Sequence, residues 1–143
     1  MPTTQLMSHE VFQYLRPDQI NAISSAAEEI TLNAGAFVFR SGEPAEDFFV
    51  VLEGEVRLRL PRPDGRSTLI DEVSQGAVFG SCVCFQIDTY LLNAQCTQDT
   101  RLLQINARSL KRLMDADLVM GYAVQSLISR VYFRRYVETM GKF

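Results

Sequence analysis

Apolar positions along the chain change their spacing twice. Over residues 8–27, Val11, Leu15, Ile20, Ile23 and Ala27 recur three to five apart, and Pro17 interrupts them. That spacing predicts two short amphipathic helices. Pro17-Asp18 opens the second, because the fixed φ of proline suits a first helical turn, where its missing N–H is not needed. From residue 29 to 105 the texture becomes short β-branched and aromatic runs. Gly35, Gly42, Gly54, Gly65, Gly76 and Gly80 break them, mostly 7 to 12 residues apart. Turns at such intervals predict a wound antiparallel sheet. Glu55 to Leu60 alternates with period two, which puts Val56, Leu58 and Leu60 on one face of a half-buried strand and Arg57 and Arg59 on a solvated outer face. Pro61-Arg62-Pro63-Asp64-Gly65-Arg66 then reads as a hairpin reversal.

After residue 105 the helical period returns, briefly over 108–114 and then over 117–140, where Met120, Ala123, Val124, Leu127, Ile128, Val131, Tyr132 and Tyr136 form an apolar arc. Ser126, Arg130 and Arg134 lie opposite it, and Arg130, Arg134 and Arg135 are read as a solvated stripe with docking as the alternative. The arc covers more than half of the helix surface, more than packing on one small sheet requires. A homodimer through this helix is therefore expected, against the alternative that the helix folds wholly onto its own sheet.

Length and composition keep this to one unit. With 143 residues, 47% hydrophobic and no internal repeat or linker, the chain suits a single core. N-terminal helices are expected over 1–28, a β-roll over 29–106 and C-terminal helices over 107–143. The net charge of −3 opposes the neutralisation of backbone phosphates, which argues against a nucleic-acid partner. Apolar runs such as Phe48 to Leu52 are far shorter than the roughly 20 residues of a membrane span. The N-terminus lacks the basic flank and apolar core of a secretion signal, and three cysteines, an odd number, fit a reducing cytoplasm. Cys82, Cys84 and Cys96 read as small buried thiols.

Residues 35–56, GAFVFRSGEPAEDFFVVLEGEV, with Gly76-Ala77-Val78-Phe79-Gly80 further on, resemble the cyclic-nucleotide-binding domains of the catabolite-activator family, protein kinase regulatory subunits and gated channels. The resemblance implies a mainly β fold with flanking α: a double-stranded β-helix, or jelly roll, with N-terminal helices and a long C-terminal helix. It also implies a phosphate-binding cassette consisting of a Phe-Gly-Glu opening, a short helix and an Arg-Ser/Thr-Ala segment. In such a cassette helix amides and the guanidinium neutralise the cyclic phosphate, and the Glu accepts a bond from the ribose hydroxyl.

Here Phe79-Gly80 match, Ser81 stands at the Glu position, and Tyr90, followed by Leu91-Leu92, stands at the Arg position. Candidate ligand-binding residues on this alignment are Phe79, Gly80, Ser81, Cys82, Tyr90 and Leu91, joined by Leu58 from the half-buried strand. Tyr90 can either donate one neutral hydrogen bond to a ligand or pack. Whether Arg101, on the following strand, reaches the pocket is open. A charge-assisted hydrogen bond contributes roughly 1.5–3 kcal/mol, so losing the guanidinium is expected to weaken phosphate binding by about one to two orders of magnitude.

The expected function is regulatory: a ligand-sensing module with weak or altered nucleotide binding. The alternative is a ligand-free roll acting as a dimerisation or protein-docking module. The chain ends at Phe143, just after the long helix, so no DNA-reading or catalytic output domain is expected. An enzyme is disfavoured. His9 is the one histidine and lies outside the β region, which leaves no cupin-like metal set, no base to activate Ser81 or Cys82, and no axial ligand for haem; nor are there cysteines enough for an iron–sulfur cluster. No cofactor is expected beyond a cyclic nucleotide as the conceivable ligand.

Overall fold

The computed structural model describes residues 15–80 and 87–141. Its architecture follows from one apolar run. Strand β3 (Asp47–Glu53) is buried along nearly its whole length, and successive side chains point to opposite faces. Phe48, Val50 and Leu52 enter one hydrophobic cluster, with helical residues such as Ile20, Leu110 and Val124. Phe49 and Val51 enter a second, with Phe39, Leu58 and Tyr90. A run without polar interruptions is what a strand covered on both faces needs.

The sheets answer that need. β1 (Ala27–Leu32), β8 (Thr100–Asn106), β3 and β6 (Val78–Phe79) form one four-stranded sheet in the order β1-β8-β3-β6. β2 (Phe37–Phe39), β7 (Asn93–Cys96), β4 (Val56–Pro61) and β5 (Ser67–Val73) form the other, in the order β2-β7-β4-β5. Every pairing is antiparallel. The chain passes from the first sheet to the second at Gly54, between β3 and β4. Its φ is +106°, and a Cβ there would stand 2.5 Å from Thr100 Oγ1 and 2.7 Å from the Asp99 carbonyl oxygen. On β4, Val56 and Leu58 are buried while Arg57 turns outward, 3.4 Å from Glu72. The expected hairpin joins β4 to β5, with the Arg62 N–H donating to the Arg66 carbonyl at 2.8 Å.

Helices cover the outer face of the first sheet. α1 (Pro17–Ser24) begins at Pro17 as the sequence suggests and buries Ile20 and Ile23; the helix expected before it falls on residues outside the described ones. α2 (Ala107–Ala116) is capped by Asn106, which accepts from the Ser109 N–H at 2.9 Å. α3 (Leu118–Met140) is capped by Asp117, which accepts from the Met120 N–H at 3.0 Å. The same carboxylate accepts from Gln19 Nε2 at 3.0 Å and lies 3.8 Å from the Arg16 guanidinium, joining α1 to the start of α3.

The inner side of α3 buries Met120, Val124, Leu127 and Ile128. Its outer side carries a second apolar row, in which Tyr122 is 77% and Phe133 67% exposed. No helix among the described residues is long and apolar enough to cross a membrane.

Two outcomes follow. Gly54→Ala is expected to lose about 2–3 kcal/mol, from positive φ and a backbone collision, read as a lower urea midpoint at unchanged slope. The bonds from Met120 N–H and Gln19, with the charge of Arg16, hold the Asp117 carboxyl below its ordinary value. A folded pKa below the unfolded one stabilises above the ordinary carboxylate range, and that stability is lost as pH falls through the folded value. Asp117→Asn keeps the cap but cannot titrate, so its melting temperature should fall less steeply than the parent's below about pH 4.

Candidate ligand-binding cavity

Between the second sheet and α3 lies a cavity of about 620 Å³. The roll lines it with Phe39, Leu58, Leu60 and Ile70, and the segment after β6 adds Gly80, Ile87, Leu91 and Leu92. α3 closes it with Tyr132, Arg135, Tyr136 and Thr139. These four share one helical face, since residues three and four apart line up. Among the described residues, the roll's contributions are all apolar and the polar side chains on the lining come from the helix.

An aromatic stack supports the roll side. Phe39 and Tyr90 lie 3.7 Å apart between ring centroids and 8° from parallel, and Phe49 and Phe79 follow at 5.2 Å. Gly80 sits against this stack with φ +80°; a Cβ would come within 3.2 Å of both Phe39 Cε2 and Phe49 Cδ2. The bare backbone at residue 80 thus lets the rings close up beneath the cavity.

The residues expected at the site separate into groups. Leu58, Gly80 and Leu91 line the cavity, with Leu91 at its exposed margin. Phe79 is fully buried in the aromatic stack behind it. Tyr90 is also in the core, 5% exposed. Its hydroxyl donates to the Asp47 carbonyl at 2.5 Å and accepts from the Asp47 N–H at 3.2 Å. Its backbone meanwhile pairs with the loop at Gly42 and Glu43. Tyr90 therefore pins the segment entering β7 to β3. Ser81 and Cys82 lie outside the described residues, as do Cys84 and His9. Cys96 is a free, buried thiol, and burial pushes it above its ordinary pKa, holding it protonated and unreactive. Arg101 is on the outer face of its sheet, 2.7 Å from Glu29 and 3.6 Å from Glu53, and is not on the cavity lining.

Arg135 corrects the sequence reading. Expected in a solvated stripe, it is 5% exposed. Its Nε donates to Asp71 Oδ2 at 2.7 Å, its Nη2 donates to the Val78 carbonyl, and its guanidinium lies 5.5 Å from the centroid of the Tyr132 ring. Asp71 belongs to β5 and Val78 to β6, so one side chain ties α3 to both sheets. The signal is in the spacing: Arg135 lies three residues from Tyr132, a member of the apolar arc, on the same helical stripe. Among the described residues no group of three His, Cys, Asp or Glu is placed to hold a metal ion.

The profile of the cyclic nucleotide-binding domain family matches residues 29–117. The chain belongs to this family. Its similar relatives include a CRP-like cAMP-activated global transcriptional regulator of Mycobacterium tuberculosis, 24% identical over 101 residues, which are 71% of this chain and 45% of that one. The chain thus spans less than half the length of that relative. Among solved structures, the sensor domain of the transcriptional regulator DNR from Pseudomonas aeruginosa matches with a TM-score of 0.80 at 24% identity, covering 95% of this chain and 91% of that one. The regulatory domain of Toxoplasma gondii PKA, solved with cAMP, matches with a TM-score of 0.81 at 20% identity, covering 94% and 49%. At these identities the structural likeness establishes the fold: a β-roll with flanking helices.

The buried ion pair makes a testable statement. Arg135→Met strands the Asp71 carboxylate and is expected to cost about 3 kcal/mol. Adding Asp71→Leu should restore stability to within about 1 kcal/mol of the parent, because a well-packed apolar pair replaces a buried charged one. Chemical denaturation of the two variants reads both values.

Proposed function

We propose that this chain is a small-molecule-sensing regulatory module, not an enzyme, whose ligand occupies the cavity beneath α3 and whose output is a change in the position of that helix. The observation that carries this is the construction of the cavity: one wall is the roll, the other is the last turns of a helix that Arg135 ties to Asp71 of the roll. A ligand that prefers one helix arrangement shifts the population by its difference in affinity for the two. Membership of a family that includes cAMP-activated regulators supports a regulatory role.

Cyclic nucleotides are poor ligands in this reading. Tyr90 stands where the family has its phosphate-binding Arg, and its hydroxyl is already bonded to Asp47. The working form is a cytoplasmic homodimer paired through α3. Val119, Tyr122, Phe133, Tyr136 and Met140 are all exposed and follow the three-and-four spacing of a helix-pairing seam, with Ser126 and Ser129 at the intervening positions. That exposed row also supports the second reading, a ligand-free roll that serves as a docking or dimerisation module.

Calorimetry with cyclic AMP and cyclic GMP is expected to give no saturable heat below about 1 mM. Binding of either at micromolar concentration would refute weak nucleotide recognition. Any ligand that raises the melting temperature should alter amide exchange over residues 130–140; stabilisation without that change would remove the proposed output.

A further inference from the structure

We infer that Arg135 is the recognition residue of the cavity and that the ligand is an amphipathic monocarboxylate, a carboxylate on a hydrocarbon body. This rests on the reading of the cavity as a ligand site. A guanidinium carries five N–H donors. The side-on edge of Arg135 is used, Nε by Asp71 and one Nη2 proton by the Val78 carbonyl. The other three, two on Nη1 and one on Nη2, meet no acceptor among the described residues. Donors left without acceptors in a side chain 5% exposed are costly, and these belong to a residue on the cavity lining. The free end is a fork of parallel N–H groups, the shape that takes both oxygens of one carboxylate.

The remaining walls select the body of the ligand. Leu58, Leu60, Ile70, Leu91 and Leu92 offer no donor or acceptor side chain to ribose hydroxyls or a purine edge, but they suit a hydrocarbon. Each methylene buried there should tighten binding about fourfold. With the Arg of the family cassette replaced by Tyr90, the cation facing the cavity stands on the opposite wall, on α3.

The same geometry couples binding to the helix. Arg135 is already balanced by Asp71, so a second carboxylate on its free edge repels the first and weakens the tie between α3 and β5. Ligand and Asp71 therefore compete for one cation. Removing the charge of Asp71 should strengthen the ligand, which a purely structural Arg135 would not do.

The test uses the full chain and three probes in calorimetry: decanoate, decanol and cyclic AMP. Decanoate should bind saturably and at least about tenfold more tightly than decanol, and cyclic AMP should not compete with it. Asp71→Asn should tighten decanoate at least about fivefold and leave decanol unchanged. The paired variant Asp71→Leu/Arg135→Met, expected to fold, should bring decanoate down to the level of decanol. Equal binding of decanoate and decanol by the parent, or an Asp71→Asn variant with unchanged decanoate affinity, overturns carboxylate recognition while leaving a ligand-binding cavity in place. Tighter binding of cyclic AMP than of decanoate does the same. If none of the three binds up to about 1 mM, the carboxylate inference fails, and the ligand-sensing reading stands or falls on its own test of amide exchange over residues 130–140.

Discussion

A strand buried on both faces must be covered twice, and β3 sets that requirement for this protein. Its even-numbered apolar residues need helices and its odd-numbered ones need a second sheet. From this come the two layers of the roll, the crossing at Gly54 where the chain changes sheets, and the position of α2 and α3 against the first sheet. The cavity is a by-product of the same arrangement. α3 is longer than the face it covers, and its last turns run on past β6 to lean over the second sheet.

What makes that overhang useful is the division of chemistry between its two walls. The roll side is hydrocarbon and ring, stiffened by Phe39, Tyr90, Phe49 and Phe79. The helix side brings the charge. A buried cation paired with one carboxylate ties α3 to β5, and removing either partner leaves the other charge stranded. One side chain thus joins the helix to both sheets, which is why a residue so far along the chain is buried.

Much of this was legible in the residues. The uninterrupted run of β3, the alternation on β4, the Asp-Gly reversal and the long helix each carry a local period, and the structure repeats them. Leu58 announced itself through that alternation. Tyr90 was recognisable only as the occupant of a position where an Arg was expected; its real partner, Asp47, is on a different strand, 43 residues earlier, and no local pattern links them. Arg135 was misread for the same reason. Treating a helical arginine as solvated is sound until a carboxylate 64 residues away, on β5, turns out to lie opposite it. Pairings that depend on how the sheets curl back become visible only when the roll is closed.

Gly80 has a bearing on how such a site can diverge. A side chain at that position would be strained by the positive φ and would press on Phe39 and Phe49, so substitutions there disturb the rings behind it. On the helix wall Arg135 is held by Asp71 and Val78, whereas Tyr136 is 61% exposed and meets no such constraint from the ring stack. New specificities arising from this scaffold would therefore be written on the helix first, with the barrel-like half inherited almost untouched.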